Sequence, residues 1–89
     1  FKNFDEVMKR ANDNDLGLCS YVYTTDLKKA NEASEILETG CVAVNTPAVA
    51  VAEAPFGGIK QTGYGREGGS MAIKDYLNIK YTHFGISYE

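Results

Sequence analysis

Clustered positive charge is missing from this sequence. Lys9-Arg10 and Lys28-Lys29 are its only adjacent basic pairs, and the net charge is −3. A polyanion partner asks for the opposite, so nucleic acid is not expected to bind. Long apolar runs are missing as well. None approaches the roughly 20 residues that cross a bilayer, so no membrane partner is expected either. Cysteine is scarce: Cys19 and Cys41 are too few for a disulfide framework and stand in no C-x-x-C spacing. His83, the single histidine, makes no metal site with them at ordinary ligand spacings. No Gly-Lys-Ser/Thr occurs, which removes the phosphate loop of that type. No secretory leader and no internal repeat is visible. The first residue is Phe1 and not Met, so we expect a processed, excised or incompletely recorded piece of cytoplasmic α/β protein.

The 89 residues allow one small domain. Such a chain buries only about 60–65% of its unfolded surface, so its core is small. With 44% hydrophobic and 24% charged residues it falls outside the disordered and membrane classes.

Asn3 followed by Glu6 has the form of a capping box, and Phe4, Val7, Met8 and Ala11 recur at helical spacing. The short polar side chains of residues 12–15 should end that helix. Leu16-Gly17-Leu18 is expected to turn the chain, and residues 19–25 (CSYVYTT) read as a strand. Thr25 or Asp26 caps a second helix with Leu27, Ala30, Ala33 and Leu37 on one stripe, and Gly40 suits its C′ position. Residues 41–45 (CVAVN) are apolar without alternation, as in a strand buried on both faces. Strand, helix, strand with tight connections predicts a βαβ unit and a parallel pair. Residues 46–69 hold six of the nine glycines and read as one long loop, a feature that is usually functional or disordered beyond about 12–15 residues. Ser70 opens a short helix through Met71, Ile73 and Leu77, and residues 78–86 (NIKYTHFGI) read as a final strand.

Gly63-Tyr64-Gly65-Arg66-Glu67-Gly68 satisfies G-x-G-x-x-G. The dinucleotide fingerprint requires those glycines to turn directly from a hydrophobic strand into a helix, and the mixed run before Gly63 offers no such strand. Cys19 and Cys41 sit where strands begin in apolar surroundings, which favours small buried hydrophobes over nucleophiles. His83 lies between Thr82 and Phe84 without a partner nearby and reads as a surface or interface residue. Arg66-Glu67 is explained by an ion pair or a helix-start acid as well as by an anion site. From residue chemistry alone, the glycine-rich loop is the single functional pointer.

Four runs in order carry a resemblance: AND with DLGL in 11–18, SYVYTTDLKKA from Ser20, GCVAVN in 40–45, and APFGGIKQTGYGREGG leading to IKDYLNIKY. Together they resemble the closing segment of the NAD(P)-dependent aldehyde dehydrogenases, in particular the branch with succinate-semialdehyde dehydrogenase. PFGG-x-K-x-[ST]-G-x-GRE is the most specific block, with Thr62 where Ser is commoner. The resemblance implies thiolate attack on an aldehyde, hydride transfer to NAD or NADP, and thioester hydrolysis, all needing a Cys nucleophile and a Glu base. The family's Gly-Gln-x-x-Cys and Glu-Leu-Gly-Gly motifs do not occur here, so no catalytic residue is expected in this chain.

By that resemblance, residues 1–77 are the C-terminal part of the catalytic domain, with parallel-sheet βαβ architecture, and 46–69 hold the substrate-entrance and Gly-rich loop. Residues 78–89 are a C-terminal oligomerisation strand and tail. Ala50, Val51 and Phe56 would line the aldehyde entrance, Phe56 as an aromatic wall. Succinate-semialdehyde enzymes commonly place Ser there, whereas no hydroxyl stands between Thr46 and Phe56. The whole protein would use NAD or NADP on a small-molecule aldehyde. This chain alone would bind no cofactor or metal, and would self-associate through residues 78–86. The alternative is a non-enzymatic oligomerisation module surviving from a disrupted gene.

Overall fold

A computed structural model describes residues 1–87. Tyr88 and Glu89, the end of the expected tail, lie outside the described residues. Helix α1 spans Phe4–Asn12, and the Asn3 side chain accepts the Glu6 amide at 3.1 Å, the expected N-cap bond. Asp5 and Glu6 in its first turn and Lys9 and Arg10 in its last complement the helix dipole. Helix α2 spans Leu27–Ile36 with Asp26 as N-cap, its carboxylate accepting from the Lys28 and Lys29 amides. Strands β2 (Cys19–Val22) and β3 (Cys41–Val44) flank α2 in sequence and pair in parallel, Cys19 opposite Cys41 and Val22 opposite Val44.

Among the described residues only Ala30, Ala33 and Ala43 form the buried hydrophobic core, and no large side chain is fully buried. The apolar area removed from water is correspondingly slight, so hydrogen bonds between backbone segments carry much of the architecture.

Several expectations are corrected. Leu16–Gly17 is a two-residue strand, β1, paired antiparallel with β4 (Ile59–Lys60), so the loop 46–69 contains a strand. Periodicity cannot announce a strand of two residues. Strand β2 ends at Val22, because beyond it the Thr24 backbone is claimed by a side chain: Asn45 Oδ1 accepts Thr24 N–H and Asn45 Nδ2 donates to Thr24 O, both at 2.9 Å. Asn45 holds φ 57, a conformation that Asn tolerates better than most residues.

Gly40 is not the C′ residue of α2, which ends on Leu37 as C-cap. It enters β3 instead, where an added Cβ would overlap the Gly57 carbonyl. The short helix after Ser70 is a 3₁₀ turn, Ala72–Tyr76. Residues 78–87 form no strand, since a strand exists only with a partner and none is present among the described residues.

Substituting Gly40→Ala should destabilise the protein by about 2 kcal/mol or more, because backbone on both sides must move to admit the methyl group. Urea unfolding of parent and variant measures it, and a difference below about 0.5 kcal/mol contradicts the close approach.

Candidate functional site

The site grows from the β1–β4 pair, which fastens the glycine-rich loop to the α/β body. Gly17 N–H donates to Thr62 Oγ1 at 2.7 Å and Gln61 N–H to Asp15 O at 2.9 Å, fixing the first turn after β4. Lys60 holds φ 57 and sends its ammonium back to the body. There Nζ donates to Asn12 O and Asn14 O, both at 3.0 Å, and meets Glu38 Oε2 at 2.7 Å. A left-handed backbone costs a lysine about 1 kcal/mol or more, and charge-assisted bonds to three oxygens offset it.

Asn12 completes this junction. Its side chain donates to Ile36 O at 2.8 Å and accepts Glu38 N–H at 2.9 Å, joining the ends of α1 and α2. Sequence reading missed both Asn12 and Lys60 as organising residues. The signal was absent: a polar residue at a helix end and a lysine in a mixed loop look solvated.

Farther along, Phe56 and Glu67 exchange backbone hydrogen bonds at 2.6 and 2.7 Å, closing the loop at its base. Arg66 Nη1 donates to Gly58 O and Gly65 O, both at 2.8 Å, and Arg66 N–H donates to Asp75 Oδ2 at 3.1 Å. Gly69 N–H reaches Ala52 O at 2.8 Å. Gly68 has φ 69, and a Cβ there would stand 2.8 Å from Ala54 O, so glycine is required on both counts. The Arg66-Glu67 pair is thus explained by loop closure.

Inside the loop lies an open depression of about 320 Å³ whose wall includes Phe56, Thr62, Tyr64, Arg66 and Tyr76. Of the three residues expected at an aldehyde entrance, Phe56 is half-buried in this wall. Ala50 and Val51 are exposed on the preceding segment and form no part of it.

The G-x-G-x-x-G run does not fit a dinucleotide. Its amides at Arg66 and Glu67 are already bound, to Asp75 and Phe56, and no helix begins on Gly68. The Asp75 carboxylate would also repel a pyrophosphate. Among the described residues no group of three or more His, Cys, Asp or Glu side chains could hold a metal ion. Among the described residues no helix is long and apolar enough to cross a membrane. Cys19 and Cys41 are both free and half-buried.

The family model described as "Aldehyde dehydrogenase family" matches residues 1–82. A 3-sulfolactaldehyde dehydrogenase of Pseudomonas putida is 51% identical over 96% of the chain. This chain belongs to the aldehyde dehydrogenase family. A succinate semialdehyde dehydrogenase of Acinetobacter baylyi is 48% identical, again over 96% of the chain. The crystal structure of succinate-semialdehyde dehydrogenase from Burkholderia pseudomallei superposes with a TM-score of 0.87 at 43% identity, over 92% of the chain. The chain spans only 17–18% of the length of these three aldehyde dehydrogenases.

Lys60→Met keeps the length of the side chain and removes its charge. It should cost about 1.5–3 kcal/mol, the usual range for a lost hydrogen bond to a charged partner, moderated by Glu38 being half in solvent. Urea unfolding checks this, and an unchanged midpoint contradicts the role given to the ammonium.

Proposed function

We propose that the chain is the closing segment of an aldehyde dehydrogenase that oxidises a small aldehyde to its acid with NAD or NADP. Residues 1–77 would complete the catalytic domain, and 46–69 would form the wall of the aldehyde entrance. The observation that carries this reading is the Pro55–Glu67 block, which folds into a loop locked by Lys60, Thr62, Arg66 and the Phe56–Glu67 bridge. A loop with its own hydrogen bonds satisfied is a pre-formed surface. It needs no ordering when substrate arrives.

The substrate class is drawn from the similar proteins, whose names include 3-sulfolactaldehyde, succinate semialdehyde and glutarate semialdehyde. Each of these aldehydes carries a second, anionic group. A semialdehyde such as succinate semialdehyde is the reading we favour. The segment from Pro47 to Pro55 offers it no hydroxyl, so the charge would be held by residues outside this chain. Ala50, Val51 and Phe56 would supply apolar walls. Catalysis would likewise need the thiol nucleophile, the general base and the nucleotide domain from elsewhere in the whole protein, which we take to be cytoplasmic.

The chain by itself should therefore neither oxidise aldehydes nor bind nucleotide. Calorimetric titration with NAD and NADP tests this. Saturable binding tighter than about 1 mM overturns it. In the whole protein, aldehyde-dependent reduction of NAD or NADP should favour aldehydes with a second anionic group over neutral ones of equal length.

A partner surface is proposed for residues 78–86. Ile79, Tyr81, Phe84 and Ile86 are 79–100% exposed there, so their apolar area is available to another chain. An unpaired extended segment recruits other strands unless charge or proline blocks it, and Lys80 and His83 are weak blocks. This favours oligomerisation of the whole enzyme through the same segment, and self-association of the chain alone. Tyr81→Pro removes a backbone donor and fixes φ, so it should weaken association measured by light scattering. A monomeric parent, or a variant that associates as strongly as the parent, sinks the idea.

A further inference from the structure

We propose that Cys19 and Cys41 form a dithiol site for a trivalent arsenical, a ligand class that bridges two sulfurs. They face each other as register partners on β2 and β3. Direct partners in a parallel ladder project to the same face of the sheet, and the strands run about 4.8 Å apart. That spacing falls within the roughly 4.4–6.8 Å between Cα atoms over which two cysteine side chains can be linked. Both thiols are free and half-buried.

The proximity has a chemical consequence. Burial first, and then the charge and hydrogen bond of Cys41, raise the pKa of the Cys19 thiol. It stays protonated at neutral pH, and a protonated thiol is a poor nucleophile toward a reagent that takes one sulfur. Cys41 has a weak donor contact, Sγ to Gly57 O at 3.8 Å. Cys19 is also part of the wall of an open groove of about 550 Å³ with Phe4, Met8, Ala33 and Leu37. That groove gives a route to Cys19 and an apolar bed for an aryl substituent.

An aryl arsine oxide brings its own proton acceptor. Two S–H bonds break and two As–S bonds form, while the oxide oxygen leaves as water carrying both protons. Arsenic stays trivalent and no redox partner is needed. The cysteines are 22 positions apart in sequence, so an unfolded chain must close a loop to bind in this way. The fold has already closed it, which should favour native binding by on the order of 100-fold.

The test is titration of the 89-residue chain with phenylarsine oxide in the presence of a phosphine reductant, with thiols counted throughout. The expected result is one arsenical per chain, loss of both thiols, and release by a competing dithiol but not by an equal concentration of monothiol. Cys19→Ser and Cys41→Ser should each abolish this behaviour. Urea should weaken binding by about 100-fold, an arm that does not depend on whether a serine variant folds. Iodoacetamide, which takes one thiol at a time, should label the native chain slowly at neutral pH and faster in urea. Absence of binding, retention in either serine variant, or affinities in buffer and urea within about threefold would overturn the proposal.

Discussion

Lys60 brings one positive charge to oxygens from three separate places in the chain. Asn12 and Asn14 contribute carbonyls from the end of α1 and the turn beyond it, and Glu38 contributes its carboxylate from just after α2. The lysine itself belongs to β4, within the glycine-rich loop. A cation in such a cluster is held by several charge-assisted bonds at once. It therefore resists displacement better than any single surface ion pair. The buried hydrophobic core among the described residues is three alanines, so polar contacts of this kind, together with the β1–β4 pairing, fasten the loop to the body.

That small core explains the style of the rest. Where little apolar area is buried, close contact between backbones takes over. Gly40 passes directly against Gly57, and a side chain at Gly17 would meet Ile59 and the Glu38 carbonyl. Asn12 and Asn45 extend the same economy, using amide side chains to complete backbone hydrogen bonds that neither helix nor sheet can satisfy. The glycine-rich block then reads as a set of close approaches and turns. The chain belongs to the aldehyde dehydrogenase family, and its geometry shows how this block is held, by Lys60, Thr62 and Arg66.

Much of the fold was legible because it is local. Asn3 and Asp26 cap helices through bonds spanning three residues or fewer, and the β2–α2–β3 order follows from patterning over short windows. The boundaries that went astray depend on distant partners. Strand β2 stops at Val22 because Asn45 binds the Thr24 backbone, and β1 exists only because β4 lies beside it. Of the candidate entrance residues, Phe56 was found in the wall of the depression, whereas Ala50 and Val51 stand outside it.

By itself the sequence determined α1, α2 and the Asn3 cap, and its motifs carried the family resemblance, whereas Gly40 was misplaced as a C′ residue. The helices and the cap follow from propensity and spacing, which act between neighbours in the chain. Tertiary structure decided what Lys60, Arg66, Asn12 and Asn45 do, since each bonds to groups that no local pattern reveals. It also decided that the two cysteines face each other, because register between strands 22 residues apart is set by the hydrogen bonds between β2 and β3.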